Sequence, residues 1–177
     1  MMLGNFFEKA ITTTISLGMM IFSSYQGNTP SFSDIETFFY GNEITIQTNL
    51  QNAFNDDFRH ILQSGQEVVI NYTLTLENDY TSEIIYFTHK TNYDPLLDIW
   101  SLECEEKKVK TIKFDTWSEF VNANSEFLYK GDFYLTSPVE VELKAWLPTI
   151  TLGQNNKSFD LMIFWNFHKP VSRTIIR

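Results

Sequence analysis

Residues 67–76 limit what this chain can fold into more than any other stretch. Val68, Ile70, Tyr72, Leu74 and Leu76 share one parity, while Glu67, Asn71, Thr73 and Thr75 share the other, with Val69 the apolar exception. A period of two predicts a strand with one face in a core and the other in water. Immediately upstream the period changes. Phe54, Phe58, Ile61 and Leu62 recur at i, i+4, i+7 and i+8, which is the stripe of an amphipathic helix. Gln63-Ser64-Gly65 separates the two patterns, and glycine takes the left-handed conformation that closes a helix without a Cβ penalty. Asn52 or Asn55 caps the helix start, where Asp56 and Asp57 complement its positive end.

The rest of the chain repeats the strand pattern. Residues 43–50 alternate, with Ile44, Ile46 and Leu50 against Glu43, Thr45, Gln47 and Asn49. In residues 139–147, Val139, Val141, Leu143, Ala145 and Leu147 alternate with Glu140, Glu142 and Lys144. Residues 83–90 are apolar on both faces through Ile84, Ile85, Tyr86 and Phe87, which predicts a central strand after a turn at 77–79. Asn92-Tyr93-Asp94-Pro95 reads as a turn. Residues 97–104 and 109–114 then form strands joined by a solvated Glu-Lys loop. Thr116 and Glu119 match a capping box for a second helix, docked by Phe120, Val121 and Phe127. An extended segment begins over 132–136, and Gly153-Gln154-Asn155-Asn156 reads as a loop. Residues 159–167 read as a strand apolar on both faces, and 171–176 as a last edge strand. Residues 34–40 fit a short strand or a helical turn equally well.

Seven or eight strands with two short helices predict a mainly β fold, an antiparallel β-sandwich that is immunoglobulin-like in general architecture. An open sheet with helices on one side is the alternative. With 16 Phe, 8 Tyr and 4 Trp in 177 residues, bulky rings must fill the interior, which favours pleated sheet over a helix bundle. The length suits one domain over 43–177, preceded by a flexible lead-in over 28–42. Residues 1–27 differ from the rest. A run of apolar and small residues over 10–22 follows Lys9 and ends at Ser23-Ser24, the form of a secretory signal with a small-residue cleavage site. A retained anchor is the second reading, although the run falls short of the about 20 residues that cross a bilayer. A buried N-terminal helix is the third.

The order of landmarks also carries a resemblance. A helix ending in Leu62-Gln63-Ser64-Gly65, the alternating strand to Leu76, Phe87-Thr88-His89 with Tyr93-Asp94, the segment 114–120 and Trp165 follow one another. Over residues 43–177 the chain resembles the bacterial domain-of-unknown-function family forty-three ninety. The resemblance implies an exported bacterial protein, and it brings no catalytic residue set with it.

Chemistry is sparse by comparison. The net charge of -9 opposes a phosphate backbone, and the densest basic cluster, Lys107, Lys108, Lys110 and Lys113, is preceded by Glu103, Glu105 and Glu106. Nucleic acid is therefore not an expected partner. Cys104 is the only cysteine, so the sequence offers neither an intrachain disulfide nor a thiolate cage. Its acidic flanks oppose thiolate formation, and it reads as an inert strand residue. His60, His89 and His168 lack the spacing of a metal site, and there is no phosphate loop, dinucleotide fingerprint or nucleophile elbow. Asp56 with Asp57, Asp94 with Asp98 and Glu140 with Glu142 are the carboxylate pairs that glycoside hydrolysis would need, yet each has a simpler role at a helix start, a turn or a wet strand face. Neither a catalytic residue nor a cofactor is expected.

Trp146 is the remaining lead, because it falls on the polar parity of an otherwise clean strand. With Glu140, Glu142 and Lys144 it defines a candidate protein-contact face. The expectation is an exported, periplasmic or envelope protein that is not an enzyme. It would act as a binding or adaptor subunit of a bacterial transport, secretion or motor assembly, with another envelope protein as partner. Membrane contact would come only through an uncleaved N-terminal segment. The rival is a ligand carrier or hydrolase with an aromatic-lined pocket.

Overall fold

A computed structural model of the chain describes residues 27–107, 109–133, 138–152 and 157–176. The signal or anchor reading of residues 1–27 (all but its last residue), the loop at 153–156 and most of the extended segment at 132–136 lie outside the described residues.

In chain order the first strands are β1 (Ser31–Phe32), β2 (Glu36–Tyr40) and β3 (Glu43–Gln51), followed by helix α1 (Asp56–Gln63). A run of four comes next: β4 (Val68–Glu77), β5 (Ser82–Asp94), β6 (Ile99–Cys104) and β7 (Val109–Phe114). Helix α2 (Trp117–Ser125) leads into β8 (Glu126–Asp132), then β9 (Val139–Trp146), β10 (Thr149–Leu152) and β11 (Lys157–Asp160). A short 3₁₀ helix (Leu161–Trp165) precedes β12 (Val171–Ile176).

The strands form two antiparallel layers, a β-sandwich. The larger sheet has the order β12-β9-β4-β5-β6-β7. In the smaller one β3 is central, with β1 and β2 along one edge and β8 along the other. β10 and β11 form a separate hairpin. The immunoglobulin likeness extends to this two-layer architecture, since β4 to β7 run as a plain meander.

The parity read from residues 67–76 sets the packing. Val68, Ile70, Tyr72, Leu74 and Leu76 are all fully buried, and Val139, Val141, Leu143 and Ala145 of β9 join them on the inner face. Opposite them lie Ile44, Ile46 and Leu50 of β3 and Phe127 and Tyr129 of β8. Rings bridge the layers: Tyr72 meets Phe127 at 5.3 Å between centroids, and Phe87 meets Phe127 at 5.9 Å. Both helices are capped as their sequences require. Asn55 Oδ1 accepts from the Phe58 amide at 2.8 Å, and Thr116 Oγ1 accepts from the Glu119 amide at 3.2 Å while donating to its carboxylate at 2.8 Å. Gly65 closes α1 with φ of 83°.

Several segments depart from the sequence reading, each for a local reason. The lead-in carries β1 and β2, and Asn28 N donates to Phe164 O at 3.0 Å, so ordered structure starts well before residue 43. Residues 36–40 are strand because β3 offers them a free edge. The turn expected over Asn92–Pro95 begins only at the Pro and covers 95–98, because β5 continues through Asp94 where its partner β6 extends the ladder to Ile99. Phe127 belongs to β8 instead of docking α2 from within it. The apolar run after residue 159 is not one strand. Asp160 Oδ1 accepts from Met162 N at 2.9 Å and starts the 3₁₀ turn, which Asn166 ends in the left-handed region at φ of 49°. An unbroken apolar run suits a buried helical turn as well as a buried strand.

That turn buries Trp165 completely, and its Nε1 donates to Ala53 O at 3.0 Å. Trp165→Phe leaves the buried carbonyl unpaired and opens a void, and should cost about 2 kcal/mol or more in urea unfolding. Ile175→Ala, on an exposed face, should stay within about 0.5 kcal/mol. Equal losses at the two positions would contradict this packing.

Candidate functional site

Two places in the sandwich carry more than packing: the outer face of the larger sheet and a polar cluster inside it. On the outer face the expected residues Glu140, Glu142, Lys144 and Trp146 do share one side of β9. Register extends the face in both directions. Lys144 stands beside Val171 of β12 and Thr73 of β4, and Thr73 stands beside Tyr86 of β5. Glu142 stands beside Arg173 and Thr75, and Thr75 beside Ile84. Trp146 is half-buried and packs against the core, whereas Ile84 (54%), Tyr86 (69%) and Ile175 (61%) are open to solvent. Apolarity on both faces of β5 therefore marks an uncovered sheet face, not the double burial expected of it.

Glu142 collects the positive charge of this face. Lys144 pairs with it, and Arg173 Nε donates to its Oε2 at 2.6 Å. The hydrogen bond from Lys144 leads in holding its carboxyl below the ordinary range, partial burial opposes it, and Arg173 adds to it. Glu140 stands directly opposite Glu77, and both are exposed. Like charges facing each other across an antiparallel pair oppose the pairing.

The internal cluster was not expected from the sequence. Trp100, Leu102 and Cys104 alternate inward along β6, and the same parity carried past the strand end points Glu106 into the protein. The Glu-Lys loop is therefore not fully solvated: the Glu106 side chain is 0% exposed. Cys104 is the register partner of His89 on β5, and both are buried. His89 Nε2 lies 2.9 Å from Glu106 Oε1, and Nδ1 lies 3.0 Å from Asn124 Oδ1 and 3.2 Å from Asn124 O. These three atoms are acceptors as placed, which favours a proton on each ring nitrogen, and the Tyr72 hydroxyl also lies 3.5 Å from Nδ1. Asn124 is in the last turn of α2, where carbonyls lack helical partners, and His89 supplies the cation that this end favours. Lys107 Nζ bonds Glu126 Oε2 at 2.8 Å and ties the turn to the end of α2. Glu106 Oε2 and Asn124 Nδ2 are buried without a hydrogen-bond partner.

Burial pushes the His89 imidazole down, but hydrogen bonds to Cys104 and Glu106, with the charge on Glu106, outweigh it and raise its pKa to about 9. Burial, with Glu106 and Cys104 nearby, pushes the Tyr72 phenol well above its usual value and keeps it neutral. His89, Cys104 and Glu106 are the described residues whose donor atoms converge closely enough for a metal ion, all within 4.8 Å of one another. A nucleophilic role for Cys104 does not fit, because the thiol is sealed from any substrate.

The other candidates remain apart. Asp56 and Asp57 begin α1, and Asp94 Oδ1 accepts from Leu96 N at 2.9 Å within the turn. Asp98 accepts from the Tyr93 hydroxyl at 2.7 Å. A groove of about 440 Å³ lies between Asn49–Phe54 and one side of α2, lined by Leu50, Asn52, Phe54, Val121, Asn122 and Ser125; neither carboxylates nor an aromatic wall converge there. Among the described residues no helix is long and apolar enough to cross a membrane. Comparison of the chain with protein-family models, curated proteins and solved structures finds no match.

Because His89 binds its proton more tightly when folded than at its ordinary 6.5, its contribution to stability is full below about 6.5 and is lost as pH rises through about 9. The groups that face it are Tyr72, Cys104, Glu106 and Asn124. Thermal unfolding with a chelator present should show a midpoint that falls across this window, and Glu106→Gln should flatten the fall. A wild-type midpoint that rises from pH 6.5 to 9 would contradict a charged His89.

Proposed function

We propose that this chain is a non-enzymatic binding subunit of a bacterial envelope assembly, exported by its N-terminal segment, which grips another envelope protein with the outer face of its larger sheet. The observation that carries the reading is the juxtaposition on that face. Exposed Ile84, Tyr86, Val171 and Ile175 surround a charged line of Arg173, Glu142 and Lys144, and they lie beside the Glu77–Glu140 pair, which no cation among the described residues relieves. Isolated exposed apolar residues are ordinary, but several gathered on one uncovered sheet face suit a contact surface.

The charge pattern narrows the partner. Two carboxylates held opposite each other without a cation are relieved by a Lys or Arg from outside, so the partner surface is basic there and apolar around it. The net charge of -9 strengthens attraction to such a surface at low salt. A core filled by Tyr72, Phe58, Phe164 and Trp165 supports the adaptor over a carrier or hydrolase, which needs a deep pocket with converging acids. Export rests on the signal-like residues 1–27 and on the resemblance to family forty-three ninety.

A photo-crosslinking residue at Tyr86 in the native envelope should capture one defined protein, with a yield that falls as salt rises. Glu140→Lys should lose that product while stabilising the free chain by about 0.2–1 kcal/mol, because it turns a repulsive cross-strand pair into an attractive one. Equal capture from a probe at Tyr40, on the other sheet, would overturn the choice of face. Recovery of the full-length chain in the cytosolic fraction would overturn export.

A further inference from the structure

We infer that His89, Cys104 and Glu106 form a closed structural zinc site that locks β5, β6 and the end of α2 together. This inference is independent of the outer face and of any partner bound there.

The donor set comes first. One imidazole, one thiol and one carboxylate, each buried, bring their donor atoms within 4.8 Å of one another. Nitrogen, sulfur and oxygen donors in one tetrahedral shell are the chemistry of zinc, whereas calcium and magnesium take oxygen alone. With metal-donor bonds of about 2.0–2.3 Å, tetrahedral ligands sit about 3.3–3.7 Å apart. The 2.9 Å contact between His89 Nε2 and Glu106 Oε1 must open slightly, and the wider gaps must close by about 1 Å. Side-chain rotation within the cluster supplies such movements.

The surroundings fit the same reading. A metal-binding imidazole characteristically donates its other N–H to a carbonyl or carboxylate, which fixes the ring and its tautomer. Asn124 provides this twice, through Oδ1 at 3.0 Å and its backbone carbonyl at 3.2 Å from Nδ1. Glu106 Oε2 is the second observation: it is buried and unpartnered on a side chain that is 0% exposed. Bidentate binding by Glu106 uses that oxygen too; the two carboxylate oxygens are too close together to fill separate tetrahedral corners, so the shell is a distorted one of three residues and four donor atoms. Zinc replaces the proton between His89 Nε2 and Glu106 and the proton on Cys104, and both protons leave to solvent. Two positive charges on the ion then meet one thiolate and one carboxylate, so the buried site is neutral. A site with every donor sealed from solvent is structural, since a catalytic zinc keeps a position open.

The full chain, expressed and purified without chelator, should hold one equivalent of zinc through dialysis, measured by elemental analysis. Replacing zinc with cobalt should give a sulfur-to-cobalt charge-transfer band, which assigns itself because Cys104 is the only thiol in the chain. Cys104→Ser should weaken zinc binding by at least about 100-fold, the upper range for altering even a group that only orients a ligand, and Asn124→Ala by about 10–100-fold. His60→Ala with His168→Ala should leave the stoichiometry unchanged. Folded wild-type protein that holds no zinc when supplied with it, cobalt bound without the sulfur band, or Cys104→Ser with wild-type affinity would each overturn the site. If Cys104→Ser does not fold, the cobalt spectrum of the wild-type chain decides alone.

Discussion

Rings set the spacing of the two layers, and Tyr72 is the one at their centre. Tyr72 projects from the middle of β4 into the gap between the sheets, where it meets Phe127 of β8 at 5.3 Å, His89 of β5 at 4.6 Å and Phe32 of β1 at 6.5 Å. Stacked sheets stand about 10 Å apart, a distance that large side chains from both faces must fill. Small aliphatics at this position would leave a void or draw the layers together. The hydroxyl end gives the same ring a second consequence, because it reaches toward the one strongly polar part of the core, 3.5 Å from His89 Nδ1. The aromatic packing and the charged cluster are thus parts of one arrangement that begins at β4.

The inside and the outside of the larger sheet solve different problems. On the inside, the buried His89 ring is tolerable because a carboxylate and a helix-end carbonyl face it, and this requirement fixes how α2 sits against β5 and β6. On the outside, alternation along β4 places Asn71, Thr73 and Thr75 between the acidic strand β9 and the apolar outer residues of β5, which makes a mixed face that no layer among the described residues covers. The fold thereby separates a rigid, sealed region from an open one that can meet a partner.

Period-two patterns were the legible part of the fold. Residues 43–50, 67–76 and 139–147 alternate so cleanly that strand, buried face and the candidate contact residues of β9 could all be read directly. The cap at Thr116 was equally plain, and Asn55 was one of two candidates, with Asn52, for the other helix. What failed were the double burial read for 83–90, the single strand read for 159–167 and the fully solvated loop read around Glu106. Ile84 and Tyr86 read as interior because apolar parity cannot say whether a layer covers the face. Residues 161–165 read as strand because a buried 3₁₀ turn has no distinct period at that length. Glu106 read as solvated because Glu105 and Lys107 flank it. The signal for it existed in the parity of Trp100, Leu102 and Cys104, but carrying that parity past the strand end requires knowing that Asn124 and His89 wait there. The approach of residues 35 positions apart in sequence is a property of the closed sandwich, which no local pattern encodes.

Amide hydrogen exchange resolved by residue tests most directly whether β4 is the structural axis of the sandwich. Tyr72, Leu74 and Leu76 lie where β4 is paired on both sides, with β5 and β9, beneath fully buried side chains, so their amides should exchange last and only through global unfolding. The edge strands β7 and β12 should open earlier. Protection that persists longer in α1 or β3 than in β4, or a β4 that exchanges with the edges, would contradict the account.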